Sequence, residues 1–239
     1  MMNWLLDRGA PGALGPGDVV VWRVAGIADA VRAAALEPLL SEAERGRVAG
    51  AADAVRTAYT VTRGTLRRVL ARHLSAAPAS LRFEYGSHGK PALPGAPLHF
   101  SVTHAADGAL IAVADAPVGV DLEQVRPRDR IDRILARCFS PTTRAAVLAQ
   151  ADAAQLHAFH AAWTQREAYV KAVGGGVFIT PDRLPYVHPG AAAELVSEHG
   201  GSETWTVIPL QPWPGYCAAA VARGAAEQIR LFDASALDE

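Results

Sequence analysis

The longest helical pattern in the chain runs from Asp152 to Val173 and stops at Gly174-Gly175-Gly176, the residue type that most readily ends a helix. A second helical stretch starts at Ser41-Glu42-Ala43-Glu44, a capping box in which Ser41 caps the helix and Glu44 reaches back, and continues to about His73. Around these two lie short apolar segments of strand character: Asp18–Val24, Leu81–Tyr85, Leu98–Val102, Ala109–Ala114, Val118–Glu123, Ala193–Val196, Trp205–Leu210, Tyr216–Val221 and Gln228–Phe232. Ile131–Arg137 and Thr142–Gln150 read as short helices, and Gly9 to Gly17 as a surface arm. Strands and helices do not alternate strictly, so the pattern predicts an α+β fold rather than a Rossmann layout. Thr62-Arg63-Gly64-Thr65-Leu66-Arg67-Arg68 also lines up with Gln165-Arg166-Glu167-Ala168-Tyr169-Val170-Lys171. The expectation is two similar pseudo-symmetric halves, 1–115 and 116–239, each a small, mainly antiparallel sheet packed on a long helix.

Half of the 239 residues are hydrophobic and 20% are charged, which suits a globular chain with its own core. Lys and Arg total 23 against 24 Asp and Glu, which argues against a globally basic nucleic-acid binder. Two cysteines, Cys138 and Cys217, make no disulfide scaffold and suit a reducing compartment. No run approaches the roughly 20 apolar residues of a membrane span. Met1 to Arg8 lack the basic start and apolar run of a signal peptide. These features predict a cytoplasmic protein with no membrane or nucleic-acid partner. Only two of the 23 basic residues are lysines, Lys90 and Lys171. In a chain that otherwise uses arginine, a retained lysine hints at a site needing a compact ammonium rather than a planar fork.

Asp121 and Glu123 are two apart on a strand and so share a face. Adjacent carboxylates repel unless a cation lies between them, although an isolated pair of this kind also fits a solvated strand end. Trp163, Glu167 and Lys171 follow at helical spacing on the long helix, where Glu167 and Lys171 equally fit an exposed ion pair. If the two faces meet, three carboxylates converge on a site suited to a hard cation, Mg²⁺ above all. Lys90, between Gly89 and Pro91 in a loop, is placed to reach a phosphate, and His104 at the end of Ser101-Val102-Thr103-His104 is placed to hold one. Arg45, Arg47 and Arg56 are candidate phosphate clamps, since guanidinium matches phosphate bidentately. Each of these groups, taken singly, also reads as an ordinary solvated side chain.

Together and in order, these segments resemble the 4′-phosphopantetheinyl transferase superfamily, in its long monomeric type acting on carrier domains of peptide and polyketide synthases. Gly89-Lys90-Pro91 resembles the family's G-K-P loop, and Ser101-Val102-Thr103-His104 its N-x-S-H motif. Val118 to Glu123 is similar to its V-G-[VI]-D-x-E strand, Phe139-Ser140 to its F-S loop, and Asp53 to Arg56 to its D-x-x-R site. Trp163 to Lys171 resembles its W-[ST]-x-K-E-[AS]-x-x-K helix, with Arg166 for the first Lys, followed by Gly174 and Gly176 as a G-x-G. The resemblance spans about residues 41–221. Where many long-type members carry a Glu soon after the F-S pair, this chain has Thr143.

The resemblance implies an enzyme of the holo-[acyl-carrier-protein] synthase type. It would move 4′-phosphopantetheine from coenzyme A to a carrier-protein serine, with Mg²⁺, and release 3′,5′-ADP. Asp121, Glu123 and Glu167 would hold the metal. Asp121, Glu167 and Lys171 would act in catalysis, with Glu167 or a metal-bound water as base in view of Thr143. Arg45, Arg47, Arg56, Lys90, Thr103, His104 and Lys171 would bind coenzyme A. The carrier protein would dock on an apolar patch rimmed by arginines, with Phe139 a candidate, and the enzyme would act as a monomer. The alternatives are a catalytically silent coenzyme A or nucleotide-binding protein of the same fold, and a nucleic-acid binder using the Arg45–Arg72 face.

Overall fold

The computed structural model describes residues 4–5, 14–174, 184–197 and 202–237. Most of the expected arm at Gly9–Gly17, and Gly175 and Gly176 of the glycine stop, lie outside the described residues. In chain order the elements are β1 (Asp18–Ala25), α1 (Ala30–Leu36), α2 (Glu42–Val48), α3 (Asp53–Leu74), β2 (Glu84–Tyr85), β3 (Pro91–Ala92), β4 (His99–Ala105), β5 (Gly108–Ala114) and β6 (Val118–Gln124). Then come α4 (Ile131–Cys138), α5 (Pro141–Leu148), α6 (Asp152–Val173), β7 (Glu194–Ser197), β8 (Thr204–Leu210), β9 (Tyr216–Arg223) and β10 (Gln228–Asp233).

The capping box forms, with Ser41 and Glu44 exchanging bonds at the start of α2. The helical stretch that follows it breaks between Val48 and Asp53 rather than running on to His73. Gly50 in that gap is a poor helix former. The strand expected over Leu81–Tyr85 shrinks to Glu84–Tyr85. Leu81 is buried in the core, and its carbonyl accepts from the Arg67 guanidinium instead of a neighbouring strand.

Two four-stranded sheets form, in the orders β10-β1-β5-β4 and β6-β9-β8-β7. Every pairing in them is antiparallel except β1 with β10, so the last strand of the chain returns to the sheet of the first. Strand alternation sorts the core into layers. Val20, Trp22 and Val24 face Val61, Leu66 and Leu70 of α3. Val19 and Val21 face the opposite way, toward Val120, Leu122 and Ala220 of the second sheet. The outer face of that sheet, with Val207, Ala219 and Val221, takes Ala168, Tyr169 and Ala172 of α6. The molecule is thus α+β, helix on sheet on sheet on helix, and each sheet carries one long helix.

Gly119 sets the approach of α6. A Cβ there would lie 1.9 Å from the Ala168 carbonyl oxygen and 2.5 Å from the Ala172 nitrogen, so only glycine lets the helix lie directly on β6. Asp121 and Glu123 follow Gly119 at alternate positions and therefore share its helix-facing side.

Candidate active site

The two sheets meet where β4 runs beside the edge of β6 that β9 does not use. There the backbone of β6 is satisfied by side chains rather than by a strand. Val120 N–H donates to the Ser101 hydroxyl at 3.2 Å, and the Val120 carbonyl accepts from Lys171 Nζ at 3.2 Å. The Val118 carbonyl accepts from Lys90 Nζ at 3.1 Å. Lys171 Nζ also donates to Asp121 Oδ1 at 2.6 Å, and the Thr103 hydroxyl donates to the same oxygen at 3.3 Å. Lys90 Nζ reaches on to the Lys171 carbonyl at 2.6 Å. On α6 Glu167 is held by its neighbour Arg166 at 2.5 Å.

Burial drives the electrostatics of this seam. It raises the Asp121 carboxyl above the usual carboxylate range, against the opposing pull of the Lys171 ammonium and its hydrogen bond. Burial also raises Glu123, and the Asp121 charge adds to it. Glu167 is raised by burial, lowered by Arg166 and raised again by Asp121. The three carboxyl groups therefore feel one another across the strand–helix contact. Lys90 is pushed down to about 8, first by burial and then by the charge of Lys171.

Beside the seam opens a cleft of about 650 Å³. One wall is the face of α3 carrying Tyr59, Thr62, Arg63 and Leu66, spaced i, i+3, i+4 and i+7. The other brings Lys90, Ser101, His104 and Lys171. His104 is exposed and Thr103 is buried behind it against Asp121. Arg45, Arg47 and Arg56 are not among the residues lining this cleft. Arg45 donates to the Leu40 carbonyl, Arg47 lies 3.8 Å over the ring of Tyr85, and Arg56 pairs with Asp53. The guanidinium on the cleft wall is instead Arg63, 8% exposed, whose Nη1 is buried without a hydrogen-bond partner among the described residues. Arg63 Nε stands 3.3 Å from Glu44 and its Nη2 donates to the Tyr85 hydroxyl at 3.2 Å. In the sequence Arg63 does not stand out among its many neighbouring arginines.

Phe139 departs from its expected role at a docking surface. It is buried, with its ring 6.4 Å from that of Trp163, because α4, α5 and the first half of α6 close their own small core around it. Thr143 is buried too, its N–H capped by Ser140 at the start of α5. Among the described residues no three His, Cys, Asp or Glu side chains are drawn together tightly enough to hold a metal ion. Lys171 and Arg166 hold Asp121 and Glu167 in this arrangement. One oxygen, Asp121 Oδ2, is buried with no hydrogen-bond partner among the described residues.

Fold and seam define an α+β protein of two stacked sheets, with acid and ammonium groups gathered where they meet, beside an open cleft. Residues 117–221 match the model of the 4'-phosphopantetheinyl transferase superfamily. The chain is 31% identical over 169 residues to the 4'-phosphopantetheinyl transferase HetI of Nostoc sp., covering 69% of each chain. It is 39% identical over 114 residues to the 4'-phosphopantetheinyl transferase AcpT of Salmonella typhimurium, covering 47% of this chain and 58% of that one. To the 4'-phosphopantetheinyl transferase Sfp of Bacillus subtilis it is 29% identical over 118 residues, 49% of this chain and 52% of that one. The chain belongs to the 4'-phosphopantetheinyl transferase superfamily, and it is a transferase.

Proposed function

We propose that this chain transfers 4′-phosphopantetheine from coenzyme A to a serine of an acyl or peptidyl carrier protein, with Mg²⁺. In the step, the serine Oγ forms a bond to the phosphorus next to pantetheine. The bond to the bridging pyrophosphate oxygen breaks, and 3′,5′-ADP departs. The observation that carries this reading is the seam itself: Lys171 paired with Asp121 at 2.6 Å, with Glu123 and Glu167 electrostatically coupled to that pair, beside an open cleft.

The unpartnered buried Asp121 Oδ2 and an all-oxygen donor set suit a hard divalent cation. Asp121, Glu123 and Glu167 would hold Mg²⁺, which when bound neutralises charge on the attacked phosphoryl group. Lys171 stabilises charge on the leaving phosphate as a compact ammonium anchored to the β6 edge. Glu167 accepts the serine proton, directly or through a water, and its burial-raised pKa brings it nearer to working pH. Arg63 offers its buried, unpartnered N–H to a phosphate of coenzyme A, a role that the cleft lining favours over Arg45, Arg47 and Arg56. His104 lies on the opposite wall as a further phosphate contact.

The test is intact-mass analysis of carrier proteins incubated with coenzyme A and this protein. A gain of one phosphopantetheine, dependent on Mg²⁺ and lost in Asp121→Ala, is the expected result. No gain across a broad panel, with coenzyme A shown to bind, would leave the silent coenzyme A-binding reading in its place.

A further inference from the structure

We propose that Lys90 is a positioning residue, clamped between the edge of β6 and the last turn of α6, that sets where Lys171 stands against Asp121. This rests on the transfer reading above for its kinetic consequences, though not for its geometry.

A helix end and an unpaired strand edge both leave backbone carbonyls in need of donors. Helix α6 ends at Val173, so the Lys171 carbonyl has no N–H four residues on within the helix to accept from. Lys90 Nζ supplies the donor at 2.6 Å, and a cation at this end also complements the helix dipole. Among the described residues strand β6 pairs with β9 along one edge only. On its other edge the carbonyls of Val118 and Val120, two residues apart, point the same way. Lys90 takes the first at 3.1 Å and Lys171 the second at 3.2 Å. Lys90 therefore holds the backbone of the residue whose side chain holds Asp121, and both lysines are referenced to one strand edge.

The loop fixes the lysine in turn. Gly86 N–H donates to the Lys90 carbonyl at 3.0 Å, and Tyr85 pairs with Pro91 in the small β2–β3 ladder. The ammonium of Lys90 is thus turned back into the protein and half-buried. A tetrahedral ammonium serves two converging carbonyls in a space where a planar guanidinium fork is a poorer match. The same geometry suits Lys90 being one of only two lysines in a chain of arginines. Lys90 also lines the cleft, so direct contact with the donor nucleotide is the competing role.

Kinetics of Lys90→Met separate the two. Positioning predicts a fall in kcat of at least tenfold with KM for coenzyme A within threefold of the parent. It also predicts that Lys90→Met/Lys171→Met is no more than threefold worse than Lys171→Met alone. A tenfold rise in KM with kcat unchanged, or no change in either, overturns the proposal. A second readout needs no turnover. With only two lysines in the chain, side-chain ¹⁵N-lysine labelling gives two signals. In Lys90→Met the Lys171 signal should shift and its hydrogen exchange should speed up at least fivefold. An unmoved Lys171 signal overturns the proposal even where no carrier is modified, whereas an inactive parent counts against the transfer reading alone. Should Lys90→Met fail to fold, the same measurements are made on Lys90→Gln, which keeps one amide donor, and the same outcomes support or overturn the proposal.

Discussion

Helices α3 and α6 are the same length, each lies on the outside of one sheet, and each carries charged residues on its inward side, yet they use those charges differently. On α3, Arg67 is 1% exposed and donates to Glu44 at 2.9 and 2.7 Å, to the Pro78 carbonyl at 2.8 Å and to the Leu81 carbonyl at 3.2 Å. It ties α2 and the following turn to the helix, and every contact is internal. On α6, Lys171 is about a third exposed at the side chain, and its charge meets a carboxylate that keeps one oxygen without a hydrogen-bond partner among the described residues. The close approaches differ in kind as well. Gly64 of α3 faces Leu36 of α1, whereas α6 is met by Gly119 of the strand beneath it. Through Arg67 one helix is locked to its neighbours, while Arg63 beside it faces the cleft. The other is pressed onto the strand that carries the acids, so that its last turn becomes part of a site.

The contrast is tested most severely by removing the buried charge of α3. Arg67→Met should cost roughly 3 kcal/mol or more in urea unfolding, because Glu44 and two carbonyls lose their main donor in the core. The transfer rate per folded molecule should change little. A mild loss of stability together with a large loss of rate would show that α3 is as much a part of the chemistry as α6.

The glycines come next. Gly119→Ala sets a Cβ against backbone that cannot step aside, and the expected loss is about 3 kcal/mol with activity abolished as α6 lifts. At Gly64→Ala the new Cβ meets the Leu36 Cβ at 2.6 Å, so the short helix α1 must shift as a body, and about 2 kcal/mol is expected. Equal losses in the two variants would mean that the strand contact of α6 is no tighter than the helix contact of α3.

Lys171→Arg keeps the charge. It should lose at least about tenfold in kcat, roughly 1.4 kcal/mol of transition-state stabilisation, with little change in Tm. Parent-like kinetics in this variant would reduce the lysine to an ordinary ion-pair partner of Asp121.

The smallest effect concerns Glu123, whose carboxyl is raised by burial and by the Asp121 charge. A carboxyl whose folded pKa lies above its unfolded value favours folding while both forms are protonated, and loses that advantage as pH rises through the folded value. In metal-free buffer Glu123→Gln should therefore melt above the parent at pH 7.5, by on the order of 1–3 °C. The gap should close at pH 4. Calorimetry showing a pH-independent gap would count against a strained carboxylate at this seam.

Much of the chemistry was legible because it is local. The i, i+2 rule placed Asp121 and Glu123 on one side of a strand, and helical spacing placed Glu167 and Lys171 on one side of α6. Gly119 then lets those two sides meet, with Lys171 on Asp121. The arginines were not legible in the same way. Arg45, Arg47, Arg56, Arg63 and Arg67 all sit in one Arg-rich stretch, and nothing in their spacing separates the one on the cleft wall from the one sealed in the core. Phe139 was expected at a docking surface from the resemblance of its loop, and its burial depends on Trp163, which lies 24 residues further along the chain.

The α+β composition, the capping box at Ser41, the long helix α6 with its glycine stop, the pairing of acids on β6 and the scarcity of lysine all follow from the amino-acid order, because periodicity and side-chain chemistry act within a few residues. Packing was needed to bring β10 back to β1, to close the free edge of β6 with Lys90, Ser101 and Lys171, and to turn Arg63 rather than its neighbours toward the cleft. Each of those joins residues far apart in the chain. Which of many similar donors reaches an unsatisfied carbonyl or an open cleft is set by contacts across layers, and no local pattern records it.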